Sequence, residues 1–224
     1  KLYALSAAPD HLAQVQFYER FDGKELKDES EIYTALQLPY IVPEMREGLQ
    51  EFDWYAKHGD KALIQYADLQ GCLHNHSTYS DGKNTLSEMA EACRALGLRY
   101  FGIADHSKYA AYAGGLKEED VIRQHEEIDQ LNAQWSDFQI LKGIEADILP
   151  DGNLDYDVTV LASFDYVVAS VHAGLTMDLE KAMPRVIKAI ENPYTSILGH
   201  PTGRLLLARP GFPLQMSKIL DACK

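Results

Sequence analysis

Two regimes of hydrophobic patterning divide the chain. Beyond residue 68, short apolar runs alternate with longer stretches in which apolar residues recur every three or four positions. The runs Leu69–His74, Tyr100–Ala104, Gln139–Ile144, Tyr166–Val171 and Ser196–Leu198 have strand length. Thr85–Leu96, Glu118–Trp135, Asp178–Glu191 and Leu214–Cys223 carry the period of amphipathic helices. Strands separated by helices pack as parallel neighbours with the helices outside, so the pattern predicts an α/β fold, a barrel or a wound sheet.

Residues 1–68 read differently. Charged and polar residues crowd Asp22 to Glu31, and prolines punctuate Leu38-Pro39-Tyr40-Ile41-Val42-Pro43. Ser30 is placed to cap a short helix carrying Ile32, Ala35 and Leu36, which Pro39 would end. An extended stretch through the prolines then leads to a helical turn, Glu44–Arg46, stopped near Gly48. The expected organisation is a small segment at 1–38, a linker at 39–68 and the main domain at 69–224.

The position of polar residues relative to the strands changes the picture most. Each predicted strand finishes on a residue able to hold a metal: His74 and His76, Asp105-His106, Glu145, His172 and His200. In β/α barrels the site is built at the C-terminal ends of the strands. His74 and His76 are two apart, a spacing that puts both imidazoles on one face of a strand. Asp81 follows in a Ser-Asp-Gly turn that can bring a carboxylate back toward them. Five of the eight histidines fall at these strand ends, which satisfied core histidines would not do by chance.

Imidazole nitrogen and carboxylate oxygen without thiolate suit Zn, Mn or Fe. Seven candidates, His74, His76, Asp81, His106, Glu145, His172 and His200, exceed one tetrahedral centre. Two to three divalent ions sharing a bridging carboxylate, with Glu145 as the bridge, is the economical arrangement, and such clusters hydrolyse phosphoesters. Arg204 and Lys108 lie just after ligand motifs, where a cation can grip a substrate phosphate. Glu145, Asp81 and Arg204 are the candidate catalytic residues. Asp105 is weighed as an orienting partner of a ligand imidazole against an outward-facing position, and Tyr79 as a base-stacking ring against packing. His11, His58 and His125 lie outside the strand-end pattern and read as surface residues.

Charge and composition narrow the partners. The net charge of −13 makes the chain a poor polyanion binder as a whole, yet three divalent cations would add roughly six positive charges at the site and reverse the local sign. Apolar residues at 46% and charged residues at 25% are those of a globular protein. No apolar run approaches the about 20 residues of a membrane span, and no signal-like start is seen, so a cytoplasmic location without membrane contact is expected. Cys72, Cys93 and Cys223 are widely spaced and odd in number, which argues for reduced thiols. Cys72 shares strand parity with His74 but reads as a small buried hydrophobe.

These residues carry a family resemblance. His74-Asn75-His76 with Ser80-Asp81-Gly82, then Ala104-Asp105-His106-Ser107, Gly143-Ile144-Glu145, Ser170-Val171-His172 and Gly199-His200-Pro201 resemble, in order, the motifs of the polymerase-and-histidinol-phosphatase (PHP) domain. The runs Gly143–Gly152 and Gly199–Arg204 are similar to the PHP domain of bacterial and archaeal family X DNA polymerases. Residues 31–48 resemble the joint between thumb and PHP domain in such proteins.

The resemblance implies a distorted (β/α)7 barrel behind a small α+β thumb remnant at 1–38. It makes the seven candidates above ligands of three metals, with 3′-to-5′ exonuclease activity on DNA 3′ ends in repair. It also implies a polymerase core on the same polypeptide, whose palm carboxylates are not in this chain. Family members continue past the last helix with further strands and a late Asp-x-His pair, so the barrel is expected to be incomplete at its C-terminus. Two other functions compete: a small-molecule phosphatase of the histidinol-phosphate type, and a non-catalytic module that stabilises the polymerase. A thumb-like joint disfavours the first, and seven filled ligand positions disfavour the second.

Overall fold

A computed structural model describes residues 2–59 and 63–224. Residue 1 of the expected thumb-like segment and residues 60–62 of the expected linker lie outside the described residues. The chain divides into two compact units, Lys1–Asp68 and Leu69–Lys224.

The first unit carries helices α1 (Leu2–Leu5), α2 (Pro9–Gln14), α3 (Phe17–Arg20), α4 (Ser30–Leu36) and α5 (Glu51–His58). None is long enough to be stable alone in water, where about 12–15 residues are needed, so packing holds them. Tyr3, Leu12, Val15, Phe17, Ile32, Tyr33 and Ile41 form the core, with Met45, Phe52 and Tyr55 against it. The expected boundary at residue 38 is therefore not a break in packing. The expected α+β character is corrected too, since this unit has no strand among its described residues. The stretch through Pro39 and Pro43 is extended, with Val42 at φ −64°, ψ 150°, but two prolines deny it ladder donors. Ser30 does not cap α4: its backbone N–H donates to Asp28 Oδ1 at 2.7 Å.

His11, expected at the surface, is fully buried. Its Nδ1 lies 2.7 Å from Glu51 Oε1, and its Nε2 lies 3.0 Å from both the Tyr3 and Tyr33 hydroxyls. Helix α2 is six residues long, too short for its periodicity to mark an inward position. Burial pushes the His11 imidazole below its ordinary 6.5, although Glu51 pulls the other way. Burial of Glu51 opposes ionisation, but its bonds to His11 and to backbone N–H groups outweigh that and hold it below 4.5. A neutral imidazole in the fold and a protonated one in the unfolded chain make the unfolded state bind more protons below pH 6.5. Glu51 adds stability above pH 4.5 that is lost as pH falls through its folded value, so both groups act in one direction. Hydrogen exchange of peptides across residues 9–21, corrected for intrinsic rate, is expected to show less protection at pH 5 than at pH 7.5; equal protection would refute the assignment.

The second unit is α/β with every strand pair parallel. Its strands are β1 (Gly71–Asn75), β2 (Tyr100–Ile103), β3 (Asp105–His106), β4 (Gln139–Leu141), β5 (Gly143–Asp147), β6 (Tyr166–Ser170) and β7 (Thr195–Leu198). They form ribbons ordered β1-β2-β4 and β3-β5-β6-β7. Single residues, Ala104 and Lys142, separate β2 from β3 and β4 from β5, so seven segments make five passes of the chain. Those passes correspond to the five apolar runs, two of them interrupted by a single residue. The helices between them are α6 (Leu86–Ala95), α7 (Glu118–Asn132), α8 (Val158–Leu161), α9 (Leu179–Ile190) and α10 (Met216–Ala222).

Strand β5 and strand β6 are buried along their whole length, as expected of a parallel sheet covered on both faces. Helix α9 buries Ala182, Arg185, Val186 and Ala189, the i, i+3, i+4, i+7 stripe of an amphipathic helix. Its Asp178 cap accepts from the Lys181 N–H, and Thr85 and Glu88 close a reciprocal capping box on α6. Ile144, Ile148, Val167, Ala169 and Val186 share one core with Phe212 and Ile219. Each large aliphatic buried there contributes about 1.5–3 kcal/mol. Cys72 and Cys93 pack at the edge of a second core, their sulfurs 3.7 Å apart as free thiols.

Candidate metal centre

The centre is assembled around one carboxylate. Glu145 lies inside β5 and is 1% exposed, and five imidazoles converge on it. Its Oε1 lies 3.0 Å from His74 Nε2, 3.2 Å from His172 Nε2 and 2.8 Å from His200 Nε2. Its Oε2 lies 3.1 Å from His106 Nδ1 and 3.5 Å from His76 Nε2. Asp81 completes the far side, 3.3 Å from His76 Nδ1 and 3.7 Å from His106 Nε2. The structure thus brings together the six candidates singled out by strand-end position and Asp81 from the turn that follows the first.

Three overlapping groups follow: His74, Glu145 and His200; His76, Asp81 and His106; His106, Glu145 and His172. In each, the ligand atoms lie within 4.8 Å of one another. His76 Nδ1, His106 Nδ1 and Asp147 Oδ2 are buried without a hydrogen-bond partner among the described residues. Buried nitrogens aimed at carboxylate oxygens without bonding geometry are costly unless a cation completes them. The donor set fits divalent ions of the Zn, Mn and Fe type.

Strand parity is not what pairs His74 with His76. His74 adopts φ 63°, the pairing of β1 with β2 shifts register between Cys72 and Asn75, and His76 lies past the end of β1. The irregularity re-aims the side chains, as bulges beside functional sites do, and leaves the two rings 5.6 Å apart. The loop carrying Asp81 then turns back over this strand end. Gly82 N–H donates to Ser77 O at 2.9 Å, and any Cβ at position 82 would collide with the His76 carbonyl.

Asp105 holds that loop. It is fully buried and accepts from Ser77 N–H at 2.7 Å, Ser77 Oγ at 2.7 Å, Ser80 Oγ at 2.5 Å and Gln124 Nε2 at 2.8 Å. It therefore orients the loop rather than a ligand imidazole, and faces inward. The residue next to it, His106, has its backbone N–H on Ser80 Oγ.

Asp147 belongs to the cluster although strand-end position did not single it out. It sits two residues beyond Glu145 on β5, the spacing that puts both on one face, and that parity was the available signal. Asp147 Oδ1 lies 3.2 Å from His172 Nδ1, and its backbone N–H is held by Ser107 Oγ and Asp155 Oδ1.

The electrostatics follow from this crowding. Burial alone would raise Glu145, but the imidazoles of His172, His200 and His74 outweigh it and hold the carboxyl well below the usual range. Burial lowers His172 as well, yet Asp147 and Glu145 win and push it up to about 9. Burial, with His76 and His172 beside it, lowers His106 despite Glu145.

The other expected residues divide. Arg204 borders a cavity of about 430 Å³ beside His172 and His200. Lys108 does not reach it: its Nζ is 2.6 Å from Glu118 and lies over the Tyr156 ring. Tyr79 packs against the core and donates to Glu127 at 2.8 Å, which makes it a packing residue. His58 is exposed, but His125 is half-buried and edge-on to Phe164. Among the described residues, no helix is long and apolar enough to cross a membrane.

Comparison with known proteins agrees with the geometry. The chain is 42% identical over 210 residues, 94% of its length, to the DNA polymerase/3'-5' exonuclease PolX of Bacillus subtilis (strain 168). It is 31% identical over 163 residues to a probable phosphatase of Thermoanaerobacter sp. (strain X514), and 32% identical over 162 residues to one of Caldanaerobacter subterraneus, each match covering 67% of this chain. The chain spans 36% of the length of the first relative, 59% of the second and 57% of the third. The model of the PHP domain matches residues 73–205, which hold all seven clustered side chains. The chain belongs to the PHP domain family.

Proposed function

We propose that this chain is a metal-dependent phosphoesterase that removes nucleotides from DNA 3′ ends as part of a repair polypeptide that also carries a polymerase core. The observation that carries the reading is the overlap of three potential ligand groups, two of them sharing Glu145 and two sharing His106. His74, His76, Asp81, His106, Glu145, His172 and His200 would hold two to three ions of Zn, Mn or Fe. Bound divalent ions supply an activated water near neutral pH and neutralise charge on the leaving oxygen.

The chain's own residues do the rest. Glu145 joins two of the groups, and Asp81 stands at the exposed rim beside His76 and His106. Arg204, which has no ion-pair partner among the described residues, grips a phosphate at the cavity wall. The name of the Bacillus relative supports a 3′ exonuclease, and its greater length supports a polymerase core elsewhere on the polypeptide. The test is a time course on a 5′-labelled oligonucleotide with Mn²⁺, full-length protein beside His76→Ala. A one-nucleotide ladder from wild type alone is expected. No ladder, or equal ladders, would sink the nuclease reading.

A second reading, a small-molecule phosphatase, is favoured by the relatives named probable phosphatases. Release of phosphate from a sugar or amino-alcohol phosphate, with no ladder from DNA, would select it.

Asp147 is expected to tune the centre through His172. Asp147→Asn should weaken metal affinity about 10–100-fold, the usual cost of losing a carboxylate behind a ligand imidazole. Competition against a chelator would measure it, and unchanged affinity would remove Asp147 from the centre.

A further inference from the structure

The cavity beside the metal centre has the makeup of a nucleotide pocket rather than of a bare phosphate site. One wall is basic. Arg204 and Arg209 both line it, and neither has a carboxylate partner among the described residues. Arg209 is held in place because its Nε and Nη2 both donate to Gly203 O, at 3.3 and 2.9 Å. That leaves Nη1 without a hydrogen bond among the described residues, on the tight turn in which Leu205 and Arg209 bond to each other's backbone.

Part of the lining is aromatic and apolar. Tyr112 is 74% exposed, its ring 6.1 Å from that of His106, and Val171 and Leu175 line the same cavity. A ring so exposed beside a catalytic cluster is left largely uncovered by the described residues, and stacking on a base is what such rings do in strand-binding proteins. The cavity volume of about 430 Å³ falls in the range of small-molecule sites, about 300–1,000 Å³.

We propose that Tyr112 and Arg209 hold the nucleotide being released, the base stacked on the Tyr112 ring against Leu175 and Val171, and the phosphate bound by Arg209 together with Arg204. This rests on the phosphoesterase reading of the centre and names its substrate class: a nucleoside 5′-phosphate, as the end of a strand or as product. Arg204 alone would serve any phosphomonoester; Tyr112 makes the site select for a base.

Equilibrium binding to the full-length protein loaded with Mn²⁺ tests this, using deoxyadenosine 5′-monophosphate and deoxyribose 5-phosphate as probes. Wild type is expected to prefer the nucleotide by about tenfold or more, the scale of one stacked base. Tyr112→Leu should bring the preference to near unity, and Tyr112→Phe should keep it. Arg209→Gln should weaken both probes alike. Equal binding of the two probes by wild type, a preference intact in Tyr112→Leu, or affinities unmoved by Arg209→Gln would overturn the proposal. The two readings fail separately. A nucleotide preference without an exonuclease ladder would sink the nuclease and leave the pocket, whereas a ladder without the preference would sink the pocket alone.

Discussion

Glu145→Gln is expected to empty the centre and to cut phosphoester hydrolysis by about 10³-fold or more, the equivalent of roughly 4 kcal/mol in the barrier. Five imidazoles face this one carboxylate, and it belongs to two of the three ligand groups. A neutral amide keeps the volume but offers only one oxygen and presents N–H donors to imidazole nitrogens. Glu145 is buried and its charge is favoured by the imidazoles around it, so the variant also loses stability, and metal content and rate are read at a temperature where it stays folded. The measurements are metal content by elemental analysis and the single-turnover rate, read beside the melting temperature. A variant that keeps its metals and works within tenfold of wild type would refute the bridging role.

Asp105→Ala is expected to cost about 3–5 kcal/mol, the range for orphaning the partners of a buried charge, and to lower the melting temperature by about 10 °C or more. Four donors converge on this side chain, and three of them belong to the Ser77–Ser80 segment. Without it the segment loses what fixes Asp81 opposite His76 and His106, so metal bound by that group should go with it. Asp105→Asn keeps the shape and should fall between wild type and alanine. Calorimetry with metal titration would measure both effects; an alanine variant that melts like wild type would mean the loop is held by something else. The two residues separate by place, since Glu145→Gln removes a member of the His74 and His172 groups, whereas Asp105→Ala loosens the segment that carries Asp81.

Several features were legible because they depend only on neighbours in the chain. The five apolar runs correspond to five passes of parallel wall, since side-chain burial follows local period. Thr85 and Glu88 announce the start of α6, and Asp178 that of α9, because capping is an interaction over three residues. The candidate ligands could be picked out for a related reason: in a parallel β/α fold all strand ends meet at one rim. Position along each strand therefore maps onto position in space, and the clustering of His74, Asp81, His106, Glu145, His172 and His200 follows.

Tertiary structure decided what depends on distant partners. His11 is buried because Tyr3, Tyr33 and Glu51, up to 40 residues away, enclose it. No local pattern marks it. Asp105 faces inward because Ser77, Ser80 and Gln124 come to it from other elements. Lys108 is taken from the site by Glu118, and Tyr79 by Glu127, pairings that a loop position does not reveal. Tyr112 and Arg209 lie 97 residues apart in sequence and line one cavity only because β3, β6 and β7 run parallel and deliver their following loops to the same end. Chain order and period were enough to name the seven His, Asp and Glu side chains that gather in the cluster. Which of the remaining charged and aromatic residues face them was set by packing, because a side chain's partner is chosen by the whole fold and not by its neighbours in sequence.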